Sequence, residues 1–108
     1  MIYFIRHGQT EFNVARRYQG HLDSSLTDLG RAQAQAMGER LRDVIDPATA
    51  MLFVSPLGRT RATAEIIATA AGITTAPIID KDLAEIGLGS WEGKTAAEID
   101  ALWPGLMP

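Results

Sequence analysis

Short apolar segments alternate with amphipathic segments along this chain, and no other feature constrains its fold as strongly. Residues Ile2–Ile5, Met51–Val54 and Ile78–Ile79 are apolar and favour β-structure, as expected of strands inside a parallel sheet. Helical patterns separate them. The order strand–helix–strand–helix–strand predicts an α/β fold whose sheet is mostly parallel, with right-handed crossovers.

The ends of the two long helices can be predicted from their capping residues. The first helix is predicted over residues 27–46, from an N-cap at Thr27 to a stop before Pro47, because the residue before a proline avoids helical angles. The second is predicted over residues 59–71, with Gly72 as its C-terminal stop.

The remaining polar and glycine-containing segments are predicted to be mostly loops. These loops cover residues 9–25 and 83–93. The sequence over Thr95–Glu98 matches a capping box, so we predict a last helix that ends before Pro104.

The composition indicates one small domain rather than a disordered or multidomain chain. The 108 residues are 46% hydrophobic and 21% charged, which permits a single modest core. A net charge of −3 gives no bulk attraction to nucleic acid or to an anionic membrane. The chain has no cysteine, which excludes disulfides, thiolate metal sites and cysteine nucleophiles. Because no leader or membrane span is recognisable, we expect a soluble, cytoplasmic protein.

The tripeptide Arg6-His7-Gly8 directly follows the first apolar segment. Ligands of parallel sheets bind beyond the carboxyl ends of the strands. A neutral imidazole attacks phosphorus when a hydrogen bond orients its other nitrogen. Gly8 allows the backbone to approach a phosphate, and the Arg6 guanidinium matches two phosphate oxygens. On the tripeptide alone, a merely structural histidine remains an alternative.

Further motifs follow the tripeptide in a fixed order. They are Gln9-Thr10 with Asn13, Leu26-Thr27-Asp28-Leu29-Gly30 with Gln33-Ala34, Ser55-Pro56-Leu57-Gly58-Arg59-Thr60 with Thr63-Ala64, and Leu83-Ala84-Glu85 with Gly89-Ser90-Trp91-Glu92-Gly93. In this order the set closely resembles the histidine phosphatase superfamily, which includes cofactor-dependent phosphoglycerate mutase. The resemblance extends from Met1 to about Trp103. It implies a three-layer α/β sandwich, phosphoglycerate mutase-like, in which residues 1–108 form a domain that lacks its C-terminal part.

The resemblance also implies roles for individual residues. His7 would be transiently phosphorylated, and Glu85 would protonate the leaving oxygen and then activate water. Arg6 and Arg59 would grip the phosphoryl group, and Asn13 would hydrogen-bond to it. The other predicted phosphate- or substrate-binding residues are Gly8, Gln9, Thr10, Gln19 and Gly20. Because arginines stabilise the charge, we expect no metal and no other cofactor.

For Glu85, the apolar neighbours favour the same role as the resemblance. Leu83, Ala84, Ile86 and Leu88 surround it in the sequence, and burial among them would favour its neutral, proton-donating form. The alternative is a solvated loop carboxylate.

The chain departs from the family in its histidines. Members carry a second histidine late in the chain that faces the phosphoryl group, whereas this sequence has only His7 and His21. Losing one preorganised donor should lower turnover by orders of magnitude. Relatives also continue through a further helix and at least one more strand, so we expect a fragment or a truncated product. A missing interior strand would also expose unpaired backbone edges, which predicts either a homodimer that covers them or a marginally stable chain.

The segment after Glu85 resembles the phosphatase branch of the superfamily, because the aromatic and basic residues usual there in the mutases are absent. We predict a phosphomonoester hydrolase that forms a phosphohistidine and acts on a small phosphorylated metabolite, such as a sugar phosphate or a nucleoside-linked phosphate. Phosphoglycerate mutase-type transfer is the second hypothesis. A non-catalytic phosphate-binding or interaction remnant is the third.

Overall fold

The computed structural model describes residues 2–20, 23–84 and 92–105. Its helices and strands in chain order are α1 (Glu11–Val14), α2 (Asp28–Arg42), β1 (Phe53–Val54), α3 (Gly58–Ala71), β2 (Ile78–Ile79) and α4 (Ala96–Leu102), with a 3-10 turn at Lys81–Leu83 between β2 and α4.

Strands β1 and β2 are parallel neighbours connected through α3. Phe53 lies opposite Ile78 and Val54 opposite Ile79. The Ile78 N–H donates to the Leu52 carbonyl at 2.8 Å, and the Asp80 N–H donates to the Val54 carbonyl at 2.8 Å. The α/β class with a parallel sheet, predicted from the alternating pattern, is confirmed.

The core lies between α2 and α3. Its buried members are Ala34, Leu41, Ile67 and Ala71, and Ile5, Ile45, Ile66 and Ile73 pack against them. A Cβ on Gly38 would lie only 2.6 Å from the Ala70 Cβ, so glycine allows the two helices to pack at close range. Burying each large aliphatic side chain contributes about 1.5–3 kcal/mol, so within the described part of the chain this core is expected to contribute strongly to stability.

The predicted helix caps are confirmed. The Thr27 hydroxyl accepts from the Gly30 N–H at 3.0 Å, and Gly72 adopts the left-handed conformation with φ 76° at the end of α3. Thr95 and Glu98 form the predicted capping box, and α4 ends at Leu102.

Helix α2 is shorter than predicted. It ends at Arg42 rather than near residue 46. The N–H groups of Val44 and Ile45 both donate to the Leu41 carbonyl, so the chain tightens into a turn before Pro47. The apolar spacing continues past the helix because Ile45 still packs against the core.

The predicted loop over residues 9–25 contains the short helix α1. Thr10 is its N-cap: the Thr10 hydroxyl accepts from the Asn13 N–H at 3.2 Å, and the Asn13 side chain accepts from the Thr10 N–H at 3.0 Å. This reciprocal pair is a capping box with asparagine in the usual position of glutamate.

The prediction of an interior strand over Ile2–Ile5 is wrong for this structure. Residues 2–9 belong to no strand, and Ile2 and Phe4 are 81% and 95% exposed. An interior strand needs paired neighbours and a layer on each face, whereas the sheet within the described part of the chain has two strands.

The strands that do form are short and poorly covered. Strand β1 starts at Phe53 rather than Met51, and the predicted burial of the strands is wrong for most of their side chains. We use the name exposed strand residues for the exposed members of the three segments predicted to be strands: Ile2, Tyr3, Phe4, Met51, Phe53, Ile78 and Ile79. In β1, only Val54 is buried.

Helix α4 docks on the loop that follows α1. Ile99 is fully buried, and the Arg17 guanidinium donates to the Gly93 carbonyl at 2.7 Å and to the Glu98 carboxylate at 2.9 Å. Arg17 also forms an antiparallel bridge with Thr95. Across the described residues, the helices are all too short or too polar to traverse a lipid bilayer.

Candidate active site

His7 has a defined ring orientation. Its side chain is partly buried, and Nδ1 lies 2.7 Å from the Gly8 carbonyl oxygen. Because a carbonyl only accepts, Nδ1 carries the proton and donates. The lone pair of the neutral ring is therefore on Nε2, the nitrogen that is left to act as a nucleophile.

The backbone N–H groups that follow His7 are all bound within the protein. Gly8 donates to the Thr63 hydroxyl at 3.1 Å and Gln9 to the Gln33 side chain at 3.0 Å, while Thr10 donates to Asn13. This loop does not present its amides to an anion, unlike a phosphate-binding nest. Anion recognition beside His7 therefore depends on side chains.

The same loop lies directly against the first turn of α2. A Cβ on Gly8 would collide with the Gly30 carbonyl, and a Cβ on Gly30 would collide with the backbone of Gln9. The Thr27 N–H also donates to the Gln9 carbonyl at 2.9 Å. Two glycines and these hydrogen bonds hold the backbone next to His7 in place.

His7 is one of the residues that line a cavity of about 180 Å³. This is several times the share of a water molecule in the liquid, about 30 Å³. It is lined by Arg6, His7, Gly8, Gln33, Ala34, Met37, Thr63 and Ile67. Arg6 is exposed and pairs with no carboxylate within residues 2–20, 23–84 and 92–105. Its guanidinium is therefore available to an anion.

Arg59 has a different environment. Its side chain is 1% exposed, and its guanidinium donates to the Gly20 carbonyl at 2.8 Å and to the Asp23 carboxylate at 3.5 Å. It lines a second cavity, of about 330 Å³, with Asp23, Ser24, Ser25, Leu26, Arg31, Gly58 and Ala62. The structure thus brings Arg6, His7 and Gly8 to one cavity and Arg59 to another.

Several of the predicted binding residues support the loop. Thr10 is fully buried, Gln19 is 8% exposed, and the Gln19 side-chain oxygen accepts from the hydroxyls of Thr10 and Ser24 at 3.1 and 3.2 Å. The Thr10 hydroxyl thus binds groups within the protein, and its predicted contact with a ligand stays a prediction. Asn13 is exposed, and with its oxygen bound to Thr10, its NH₂ group is the donor that remains for an anion.

The predicted acid Glu85 lies outside the described residues, as does His21. Sequence reasoning did not assign roles to Thr63, Gln33 and Asp23, although the first two belong to quoted motifs. Each contacts a site residue from far along the chain. No local pattern indicated these contacts, because each depends on how separate elements pack. Across the described ranges, no three His, Cys, Asp or Glu side chains are grouped to hold a metal ion.

The sequence profile of the histidine phosphatase superfamily (branch 1) matches residues 2–108. Among curated relatives, the protein named "Probable phosphoglycerate mutase GpmB" of Erwinia tasmaniensis is 42% identical over 100 residues, which cover 93% of this chain and 44% of that protein. The chain therefore spans less than half the length of this relative.

Solved structures give the same coverage. The protein YhfR of Bacillus stearothermophilus superposes with a TM-score of 0.76 at 46% identity, covering 90% of this chain and 46% of that one. A mycobacterial glucosyl-3-phosphoglycerate phosphatase, solved with VO₃, superposes with a TM-score of 0.77 at 38% identity, covering 93% and 47%.

Proposed function

The chain belongs to the histidine phosphatase superfamily (branch 1), and we propose that it carries the nucleophilic half of a phosphomonoester hydrolase site. The observation that carries the proposal is the hydrogen bond from His7 Nδ1 to the Gly8 carbonyl, which leaves Nε2 with a lone pair. Attack on phosphorus places positive charge on the ring, and the carbonyl at 2.7 Å stabilises the Nδ1 proton as this charge develops.

The reaction has two steps. In the first, His7 Nε2 forms a bond to phosphorus while the ester P–O bond breaks, and Glu85 gives its proton to the leaving alcohol. In the second, Glu85 takes a proton from water, the water oxygen attacks phosphorus, and the N–P bond breaks to release inorganic phosphate. Arg6 and the Asn13 NH₂ bind the phosphoryl oxygens beside His7, and Arg59 is the second arginine that the family resemblance implies. Charge-assisted bonds of this kind are about twice as strong as neutral ones.

The relatives support a proposed substrate class. One neighbour is a glucosyl-3-phosphoglycerate phosphatase, solved with VO₃, an oxyanion of the same general kind as phosphate, which supports hydrolysis of a small phosphorylated metabolite. Mutase-type transfer is the second candidate, favoured by the name of the Erwinia relative.

The test is phosphate release from p-nitrophenyl phosphate, together with isomerisation of 3-phosphoglycerate. We expect release that disappears in the His7→Ala variant. The matched control is His21→Ala, since His7 and His21 are the only histidines of the chain. After brief exposure to ³²P-labelled substrate, acid-labile label should depend on His7 alone. Isomerisation would favour the mutase. Phosphate binding without turnover would favour a non-catalytic binder and contradict the hydrolase.

We also propose that two copies associate through the exposed strand residues. Seven apolar side chains are exposed there, and within the described residues the sheet ends at β1 on one side and β2 on the other. Open edges bind other strands through backbone groups and need no special side chains. Sedimentation over a range of concentrations should show a dimer. A stable monomer at all concentrations would contradict this proposal.

A further inference from the structure

The Asp23 carboxylate makes two contacts with Arg59, 36 residues along the chain. Its Oδ1 accepts from the Arg59 backbone N–H at 3.1 Å and lies 3.5 Å from the Arg59 guanidinium. One carboxylate oxygen therefore contacts both the backbone and the side chain of the same arginine. Together the two contacts restrict the conformations that the Arg59 side chain can adopt.

The backbone contact replaces a missing local cap. Helix α3 has Leu57 at its N-cap with no side-chain hydrogen bond, and no acidic residue in its first turn. The first N–H groups of a helix need an acceptor, and their partial positive charge favours an anion. Asp23 supplies both the hydrogen-bond acceptor and the negative charge, from a loop that is distant in the sequence.

Gly58 makes room for this carboxylate. A Cβ on Gly58 would collide with Asp23 Oδ2. Glycine at position 58 therefore leaves room for the carboxylate where it lies, and a Cβ there would make the end of the Asp23 side chain shift.

The same loop also holds the other side of the arginine. The Gly20 carbonyl accepts from the Arg59 guanidinium at 2.8 Å, and Gly20 has φ 55°, a conformation that other residues rarely adopt. Gly20 and Asp23 thus each accept from the guanidinium of a side chain that is 1% exposed.

We propose that Asp23 is a positioning residue that sets the direction of the Arg59 guanidinium for phosphoryl binding. The proposal rests on the proposed function, in which Arg59 is the second phosphoryl-binding arginine. The carboxylate acts on the reaction through Arg59 and contacts no reacting atom. Its charge, as well as its capping of α3, is needed.

The first experiment measures Arg59 directly, without reference to activity. Phenylglyoxal modifies accessible guanidinium groups, and mass spectrometry of peptides locates the modification. In the chain without substitutions, the exposed Arg6 should react quickly with phenylglyoxal and Arg59 slowly. In Asp23→Ala the rate at Arg59 should rise about tenfold or more, in line with the loss of a hydrogen bond to a charged group.

Asp28→Ala is the matched control. The Asp28 carboxylate is fully exposed and pairs with Arg31 at 3.6 Å, so the same chemical change removes a surface ion pair and an acidic charge from the first turn of α2, without touching Arg59. In this control variant, phenylglyoxal should modify Arg59 at the same rate as in the chain without substitutions. Asp23→Asn retains an oxygen for the Arg59 N–H but removes the charge. We expect this variant to keep the stability of the chain while Arg59 is modified faster.

The second experiment measures p-nitrophenyl phosphate hydrolysis per folded molecule. A displaced guanidinium should lower kcat of Asp23→Ala about tenfold to a hundredfold with a smaller change in KM. If Asp23 only caps α3, Asp23→Ala would lower stability and leave kcat and the Arg59 modification rate unchanged. That result would overturn the proposal. A rise in kcat would also overturn it, because Asp23 would then be restraining Arg59 from the reaction. If the starting protein has no activity, the proposed function fails, and the modification rates still decide the role of Asp23.

Discussion

The helix pair α2–α3 and the exposed strand residues are both apolar, and only the helix pair is covered. Each helix buries one face against the other, so Ala34 and Ile67 are 2% and 3% exposed. The strand segments are apolar on both faces and would need a layer on each side. Phe4 and Phe53 are instead 95% and 53% exposed. An amphipathic helix thus completes its burial with one partner, whereas an interior strand depends on the whole sheet.

The sharpest test of this comparison is a matched truncation in each region. Ile67→Ala should lower the free energy of unfolding by about 2–5 kcal/mol, because it opens a cavity in the helix pair. Phe4→Ala should change it by less than about 0.5 kcal/mol, since this side chain is exposed. Urea unfolding at low protein concentration measures both. Equal losses would show that the exposed strand residues are covered in solution.

Overpacking tests how closely the helices approach. In Gly38→Leu the new side chain meets the Ala70 Cβ and the Ile67 backbone, and overpacking of this kind costs about 1–3 kcal/mol. The control is Ala36→Leu, on an exposed position of the same helix, which should be close to neutral in the same urea experiment. A neutral Gly38→Leu would mean that the helices pack less closely than described.

A smaller effect is expected where the helix pair holds the His7 loop. Thr63→Val keeps the side-chain shape but removes the hydroxyl that accepts from the Gly8 N–H. Leaving that buried donor unpaired should cost about 1–3 kcal/mol, nearer the lower end because the other hydrogen bonds of the loop remain. Hydrogen exchange of the Gly8 amide should accelerate as well. Unchanged exchange at Gly8 would contradict this role for Thr63.

The smallest effect is expected at the surface contact between Arg17 and α4. The hydrogen bond from Arg17, followed by that from the Thr95 backbone, holds the pKa of Glu98 below its usual value of 4.5. A lowered folded-state pKa contributes stability above 4.5 that is lost as the pH falls through the folded value. The stability difference between the original chain and Glu98→Gln should therefore be present at neutral pH and vanish in acid. A difference that persists at low pH would point to another cause.

Local rules account for the parts of the fold that the sequence predicted correctly. The caps at Thr27, Gly72 and Thr95 depend on hydrogen bonds within a few residues. Two prediction errors also have local causes: the helix end placed near residue 46 and the missed helix α1. The former failed because apolar spacing continues into a packed turn, and the latter because Asn13 replaces the usual acidic partner of a capping box.

The sequence by itself determined the α/β class, the two long helices and the family, because strand and helix periodicity and the order of four motifs are properties of the chain alone. Only the tertiary structure decided which groups hold His7 and Arg59. The Gly8–Thr63 and Asp23–Arg59 contacts span 55 and 36 residues, and such contacts depend on how helices pack. The same holds for the exposure of Ile2–Phe4, since burial of a strand is set by the layers around it and not by its own residues.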